Sequence, residues 1–343
     1  MSSPASPVLD PEVPSGFVRF LHDHDTFVLA THTEPDGDCI ASSLALGRYL
    51  ERAMGKKVHH LNAGPFERRE IIRYQKHFEP RIDRSTVTAA RSPAAIVLDC
   101  TGPDRVGEAA EDLAGLPTAV LDHHASGTPF GDARFVETTA AASCYLVQLL
   151  LERLALETGV AISADEAYLL FFGIATDTGF FRHIEANSAG LLAAVSRLSV
   201  LGVSPKEIHS HMFGGKTLAS RKLLGTLLGR AKPIGDGSAI LTYETRADVE
   251  TYGRISRDSD PLYQLILSIE GVRAAALIRE ENESSCTGSL RSTDSLDVSR
   301  VAQIFGGGGH KRAAGFSTDT PLKDMLERVE TEMVAAMREH QAQ

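Results

Sequence analysis

The chain has 343 residues, 43% of them hydrophobic, and a formal net charge of -10, with 45 Asp and Glu against 35 Lys and Arg. That length suits about two domains, and the acidic balance argues against a grip on long nucleic acid, which needs a basic face. No apolar run reaches membrane-spanning length. Residues 1–15 read as a Pro- and Ser-rich flexible tail rather than a signal peptide, and scattered cysteines without a CxxC pair suit a reducing cytoplasm.

Thr26 to Thr31 is apolar and β-branched and reads as a buried strand. It runs into His32-Thr33-Glu34-Pro35-Asp36-Gly37-Asp38, where Pro and Gly mark a turn, and then into a helix from Ile40 to Met54. Asp36 or Asp38 could simply cap that helix. A cap does not account for a histidine and two acids so close together. Lys57 to Leu61 reads as another strand and Pro65 to His77 as a helix. Ala94 to Leu98 is an apolar strand ending in Asp99. A helix over Pro103 to Ala114 leads to a strand, Pro117 to Leu121, that ends in Asp122-His123-His124.

Strands alternating with helices at this spacing indicate βαβ units and a parallel sheet. Ligands of such a sheet bind outside the C-terminal strand ends. His32, Asp36, Asp38, Asp99, His123 and His124 are therefore expected to meet. Helices follow over Ala141 to Leu156 and from Ser163 onwards. Asp177 comes after the apolar stretch Tyr168 to Phe172, so it needs a polar partner. Arg182 and His183 could meet an anion there. Asn187 to Leu201 reads as a helix, and Ser204 caps a short one with Pro205 at its first position.

The second half reads as strands over Ser238–Glu244, Val272–Arg279 and Cys286–Arg291, with helices over Pro261–Glu270, Val298–Phe305 and Leu322–Met337. The Val298 helix stops at Gly306-Gly307-Gly308-Gly309-His310-Lys311-Arg312. Glycines let backbone N–H groups approach an anion closely, and the basic residues add charge. The acids and histidines of the first half exceed what one divalent ion needs. Two ions ~3.5–4 Å apart that share a carboxylate would use them. Mixed imidazole and carboxylate ligands favour manganese, iron or zinc over calcium.

Together, the stretches His32–Asp38, Val97–Asp99, Asp122–His124, Gly173–Gly179 and Gly306–Gly315 resemble the DHH/DHHA1 phosphoesterase family. Within it they are most similar to the bacterial branch of nano-RNases and 3′-phosphoadenosine-5′-phosphate phosphatases. The resemblance runs from about Gly16 to the C-terminal helix. One departure is Ala41-Ser42, where many members have Gly-Ser; it removes no ligand. The resemblance implies an α/β protein with its active site in a cleft between two domains. Residues 16–186 would be a DHH domain, a mostly parallel sheet flanked by helices. Residues 187–218 would be a helical linker, and residues 219–343 a smaller α/β DHHA1 domain.

It implies two Mn²⁺ ions, or other divalent ions in their place. His32, Asp36 and Asp99 would hold one; Asp38, Asp99, His123 and Asp177 would hold the other. His124 would act with Asp99 in catalysis, as a donor to the phosphate or leaving oxygen, and Asp122 would orient a histidine. Arg291, Gly308, Gly309, His310 and Arg182 would bind substrate phosphate. The expected substrates are short oligoribonucleotides, cut to mononucleotides, and 3′-phosphoadenosine 5′-phosphate, converted to AMP. Cyclic di-AMP or linear diadenylate hydrolysis is the nearest alternative, ahead of inorganic pyrophosphatase and of a silent nucleotide-binding regulator. The resemblance alone adds a homodimer through the DHH domain.

Overall fold

A computed structural model describes residues 10–341 apart from 101, 126, 185–187, 294 and 295. Most of the tail expected over 1–15 thus lies outside the described residues, but Asp10 accepts hydrogen bonds from Tyr145 Oη at 2.8 Å and from Arg197. The chain divides into two compact units, 1–214 and 215–343.

The first unit runs α1 (Ser15–Asp23), β1 (Thr26–Thr31), α2 (Gly37–Met54), β2 (Lys57–Leu61), α3 (Arg84–Thr88), β3 (Pro93–Leu98), β4 (Thr118–Asp122), β5 (Ala133–Val136), α4 (Ser143–Thr158), α5 (Ala164–Asp177), α6 (Ala189–Val200) and α7 (Pro205–Phe213). Its strands form one parallel sheet in the order β2-β1-β3-β4-β5. The order reverses at β1, so the crevice between the ends of β1 and β3 is the switch point where open α/β sheets bind ligands. The three central strands are buried on both faces, β1 along its whole length and β3 and β4 past their first residues. Phe27 and Leu29 face a core with α1, α2, α4 and α5; Val28 and Ala30 face a second core with Ile82, Val87, Val106 and Leu113.

Register places Thr31, Leu98 and Leu121 in one row across β1, β3 and β4. His32, Asp99 and Asp122 therefore leave the sheet side by side. Two expected helices differ. Between Pro65 and His77 only Ile72–His77 is helical, as a 3-10 helix. Phe66 and Ile71 reach the core from irregular chain and Tyr74 from the 3-10 helix, so their spacing mimics a helical stripe. The segment Pro103–Leu113 is 3-10 and broken at Gly107 (φ 70°, ψ −150°), where a Cβ would press on Thr33.

The stretch 187–218, expected as a linker, holds α6 and α7. Leu191, Ala194, Leu198 and Ile208 join the core of the first unit.

The second unit runs α8 (Leu218–Gly229), β6 (Lys232–Ile234), β7 (Ala239–Glu244), α9 (Arg246–Tyr252), α10 (Ser259–Leu267), β8 (Ala274–Asn282), β9 (Ser285–Ser292), α11 (Val298–Ile304), β10 (Gly308–His310), β11 (Ala313–Thr318) and α12 (Leu322–Gln341). Its mixed sheet has the order β10-β11-β9-β8-β7-β6. Alternation along β8 divides the packing: Ala274, Ala276 and Ile278 face α11 and α12, while Ala275 and Leu277 face α8 and α10. Met325, Val329, Met333 and Met337 of α12 are buried on one stripe. No helix among the described residues is long and apolar enough to cross a membrane.

Candidate active site

The C-terminal ends of three strands and the end of one helix deliver the polar cluster. β1 supplies His32, β3 supplies Asp99, and β4 supplies Asp122 followed by His123 and His124. The turn after β1 supplies Asp36 and opens α2 with Asp38. Asp36 also caps α2, its Oδ1 accepting from the Cys39 N–H at 3.0 Å. Capping and membership of the cluster are thus compatible in one side chain. Asp177 is the last residue of α5, one turn beyond the buried Gly173.

Close packing of α2 on α5 brings Asp177 to Asp38. A Cβ at Gly37 would overlap the side chain of Thr176, and one at Gly173 would overlap Cys144 Sγ and stand 3.0 Å from Asp38 Oδ1. Both glycines are there for close approach.

Two triples of ligand-type atoms result, each with its atoms within 4.8 Å of one another: His32, Asp36, Asp99, and Asp38, His123, Asp177. A third joins Asp99, His123 and His124. Asp99 stands between the first two. Its Oδ2 lies 3.5 Å from His32 Nε2 and its Oδ1 lies 3.5 Å from His123 Nε2. His123 Nε2 is also 3.3 Å from Asp177 Oδ2. The other ring nitrogens are fixed. His32 Nδ1 donates to Thr33 O at 2.8 Å, and His123 Nδ1 donates to Ala140 O at 3.2 Å. In each ring Nε2 is the nitrogen turned towards the carboxylates, the position from which it can ligate a metal once its proton is displaced.

Asp122 Oδ1 accepts from the backbone N–H of His123 and His124 and from His124 Nδ1. That last hydrogen bond leads the causes raising His124 to about 8.

The electrostatics are those of an anionic site short of positive charge. Burial first, then Asp99 and Asp177, push the Asp38 carboxyl well above its ordinary range. Burial also raises Asp177, to about 6. Burial alone would lower His32, but its hydrogen bonds to Asp99 and Cys39 outweigh that and raise it to about 11. Carboxylates packed this tightly need a cation among them. Together with two histidines that turn Nε2 towards them, the donor set fits divalent ions of the manganese, iron or zinc type.

Several supporting residues carry little sequence signal. Asn62, just past β2, donates to Thr31 Oγ1 and to His32 O, bracing the end of β1. Ser143 sits beneath Asp99 and Asp38. A buried polar residue straight after a strand, or at the first turn of an apolar helix, is the one hint each of them gives.

In the second unit the glycine run is not an open loop. Gly308–His310 forms edge strand β10, paired with β11 through Gly308↔Gly315, Gly309↔Ala314 and His310↔Ala313. A Cβ at Gly307 would overlap Gly315 and Phe316, and one at Gly309 would lie 2.7 Å from Ala314 Cα. Ala313 also pairs with Arg291 of β9. Arg291, Ala313 and His310 thus occupy one row across three strands. The Arg291 guanidinium lies over the Tyr263 ring, 5.1 Å from its centroid. Arg182, in the first unit, is exposed and contacts His183 Nε2 at 3.2 Å.

Residues 26–174 match the family described as DHH family, N-terminal domain, and residues 247–339 match the DHHA1 domain; together these span well over half the chain. The bifunctional oligoribonuclease and PAP phosphatase NrnA of Thermus thermophilus is 28% identical, over 90% of this chain and 90% of its own length. The protein of the same name from Bacillus subtilis is 24% identical, over 94% of this chain and 98% of its own. A crystal structure of an exopolyphosphatase-related protein from Bacteroides fragilis shares the fold with a TM-score of 0.75 at 24% identity, covering 92% of this chain and 94% of that one. The chain belongs to the DHH family and carries a C-terminal DHHA1 domain.

Proposed function

We propose that this chain is a manganese-dependent phosphoesterase. It hydrolyses short oligoribonucleotides to mononucleotides and removes the 3′-phosphate of 3′-phosphoadenosine 5′-phosphate. The observation that carries the reading is Asp99, with one carboxylate oxygen towards His32 and the other towards His123. A carboxylate so placed can serve two ions at once. His32, Asp36 and Asp99 are the residues that would hold one, and Asp38, Asp99, His123 and Asp177 those that would hold the other. When bound, a pair of divalent ions supplies a hydroxide-like water at neutral pH and neutralises the phosphoryl group under attack.

The chain's own residues do the rest. Asp122 holds His124 by Nδ1, which leaves Nε2 for the phosphate or the leaving oxygen. Arg291, Gly308, Gly309 and His310 bind substrate phosphate, with Arg182 as a further contact; a guanidinium and bare backbone N–H groups are the donors phosphate takes best. The names of the Thermus thermophilus and Bacillus subtilis relatives support this substrate choice. So does the net charge of -10, because a substrate of a few nucleotides needs a pocket and not a basic track. Four free, buried cysteines accord with the cytoplasm as its location. The homodimer remains part of the proposal, to be checked by light scattering.

The test is one incubation series. Purified protein with Mn²⁺ is given diadenylate, 3′-phosphoadenosine 5′-phosphate, cyclic di-AMP or pyrophosphate, and products are separated. Turnover of the first two is expected. Preference for cyclic di-AMP would move the assignment to a cyclic dinucleotide phosphodiesterase, and turnover of pyrophosphate alone would sink it.

A further inference from the structure

Ser143 opens α4 and is fully buried. Its backbone N–H donates to Asp38 Oδ2 at 2.6 Å, and the next N–H, from Cys144, donates to Asp38 Oδ1 at 2.8 Å. Its hydroxyl donates to Asp99 Oδ1 at 2.9 Å. One residue therefore grips two carboxylates that come from the start of α2 and the end of β3.

The first N–H groups of a helix have no partner within it and favour negative charge. A side-chain cap on the preceding residue usually takes one of them. Here that residue is Ala142, which has no oxygen to offer. Asp38, distant in sequence, takes the place of the cap. The serine hydroxyl is the separable part of the arrangement. It has one proton, and against an ionised carboxylate that proton must point at Asp99. The bond fixes the carboxylate's rotation, with Oδ2 towards His32 and Oδ1 towards His123. Among the described residues, the other ion-pair contacts of the Asp99 carboxylate are with His32, His123 and His124 at 3.5–3.7 Å.

We propose that Ser143 is a positioning residue for the metal centre, setting through its hydroxyl which face of Asp99 each ion meets. This rests on the reading of the cluster as a two-ion site. Ser143→Ala keeps both backbone donors to Asp38 and removes the hydroxyl alone. Alanine also suits a helix better than serine.

The experiment is a Mn²⁺ titration of the full chain, stripped of metal by chelation, followed by the electron spin resonance signal of free Mn²⁺. Wild type, Ser143→Ala, Ser143→Cys and Ser143→Thr are compared, and circular dichroism confirms that each is folded. Removing an outer hydrogen-bond partner of a ligand costs ~10–100-fold in metal affinity. That loss is expected for Ala and for Cys, whose thiol is a weak donor, while Thr restores binding to within about threefold of wild type. Cys keeps the shape of serine with a somewhat larger atom, so it answers for Ala if the smaller residue unfolds the site. Wild-type affinity in Ala or Cys would overturn the proposal and leave the two-ion reading standing. So would a loss shared equally by Thr, which would mark Ser143 as a packing residue. A wild type that takes up no Mn²⁺ would refute the two-ion reading itself, and the proposal with it.

Discussion

His124 Nδ1 lies 2.8 Å from Asp122 Oδ1, and that same oxygen also takes the backbone N–H of His124. The acid thus fixes both the backbone and the ring of the residue assigned to the leaving oxygen. Asp122→Asn keeps an acceptor but loses the charge. It is expected to lower kcat by about 10–100-fold with little change in KM. Steady-state kinetics on diadenylate check this. An unchanged kcat would mean His124 needs no such support.

Asp99 belongs to two of the three ligand triples and lies 3.5 Å from His123 of the other. Asp99→Ala is expected to abolish turnover nearly completely and to reduce bound Mn²⁺ below two ions per chain, read by elemental analysis after dialysis. Chelation of the wild type should have a second effect. The buried carboxylates lose their counter-charge, so Tm falls on metal removal and recovers on adding Mn²⁺. A ligand at 100 times its Kd stabilises by about 2.7 kcal/mol. A Tm indifferent to chelator would argue against ions in the cluster.

Gly173 meets Cys144 so closely that a methyl group there must overlap the sulfur. Gly173→Ala is expected to destabilise by about 1–3 kcal/mol, as overpacking does, and to displace Asp38. Adding Cys144→Ala makes room and should return part of the loss. Urea unfolding of the single and double variants measures both effects. Additive losses would mean that the two residues do not share the space.

Arg291 lies in one row with His310. Arg291→Ala is expected to raise KM more than it lowers kcat, the signature of lost ground-state binding. An unaltered KM for 3′-phosphoadenosine 5′-phosphate would remove Arg291 from the substrate contacts.

His60 gives a pH dependence that lies apart from the site. Its Nδ1 bonds Ser43 Oγ at 2.8 Å. Burial first, then the nearby His77 and Arg48, hold it down to about 3, against 6.5 for the unfolded chain. The folded state keeps the ring neutral while the unfolded state takes up a proton. Stability from this group is therefore complete above pH 6.5 and is lost as pH falls towards 3. The slope cannot exceed ~1.4 kcal/mol per pH unit, the limit for uptake of one proton. Unfolding at pH 7, 6 and 5 should show a steeper loss for wild type than for His60→Gln. Parallel curves would place the titration elsewhere.

Much of the site could be read without coordinates. His32, Asp99 and Asp122 each follow a run of apolar or β-branched residues, and strand ends in a parallel sheet share one edge. Asp177 could be read as an acid in need of a partner, but not as the end of α5. The hydrophobic run before it shows no period that fixes where the helix stops. β5 and β10 escape for a simpler reason. At four and three residues, they are shorter than any alternation can reveal. The break at Gly107 and the irregular stretch after Pro65 are set by contacts with Thr33 and with the core, which lie far away in the chain. Ser143 is least legible of all, because its role depends on two carboxylates more than forty positions upstream.

Asp99 has a left-handed backbone, φ 57°, at the tip of β3. Glycine adopts that conformation without strain and an aspartate does not. Its carboxylate also crowds against other negative charge. Glycine at this position would relieve the backbone, but it would leave His32 and the Ser143 hydroxyl without their shared partner and the other buried carboxylates without a cation, so selection for heat resistance alone should keep the aspartate.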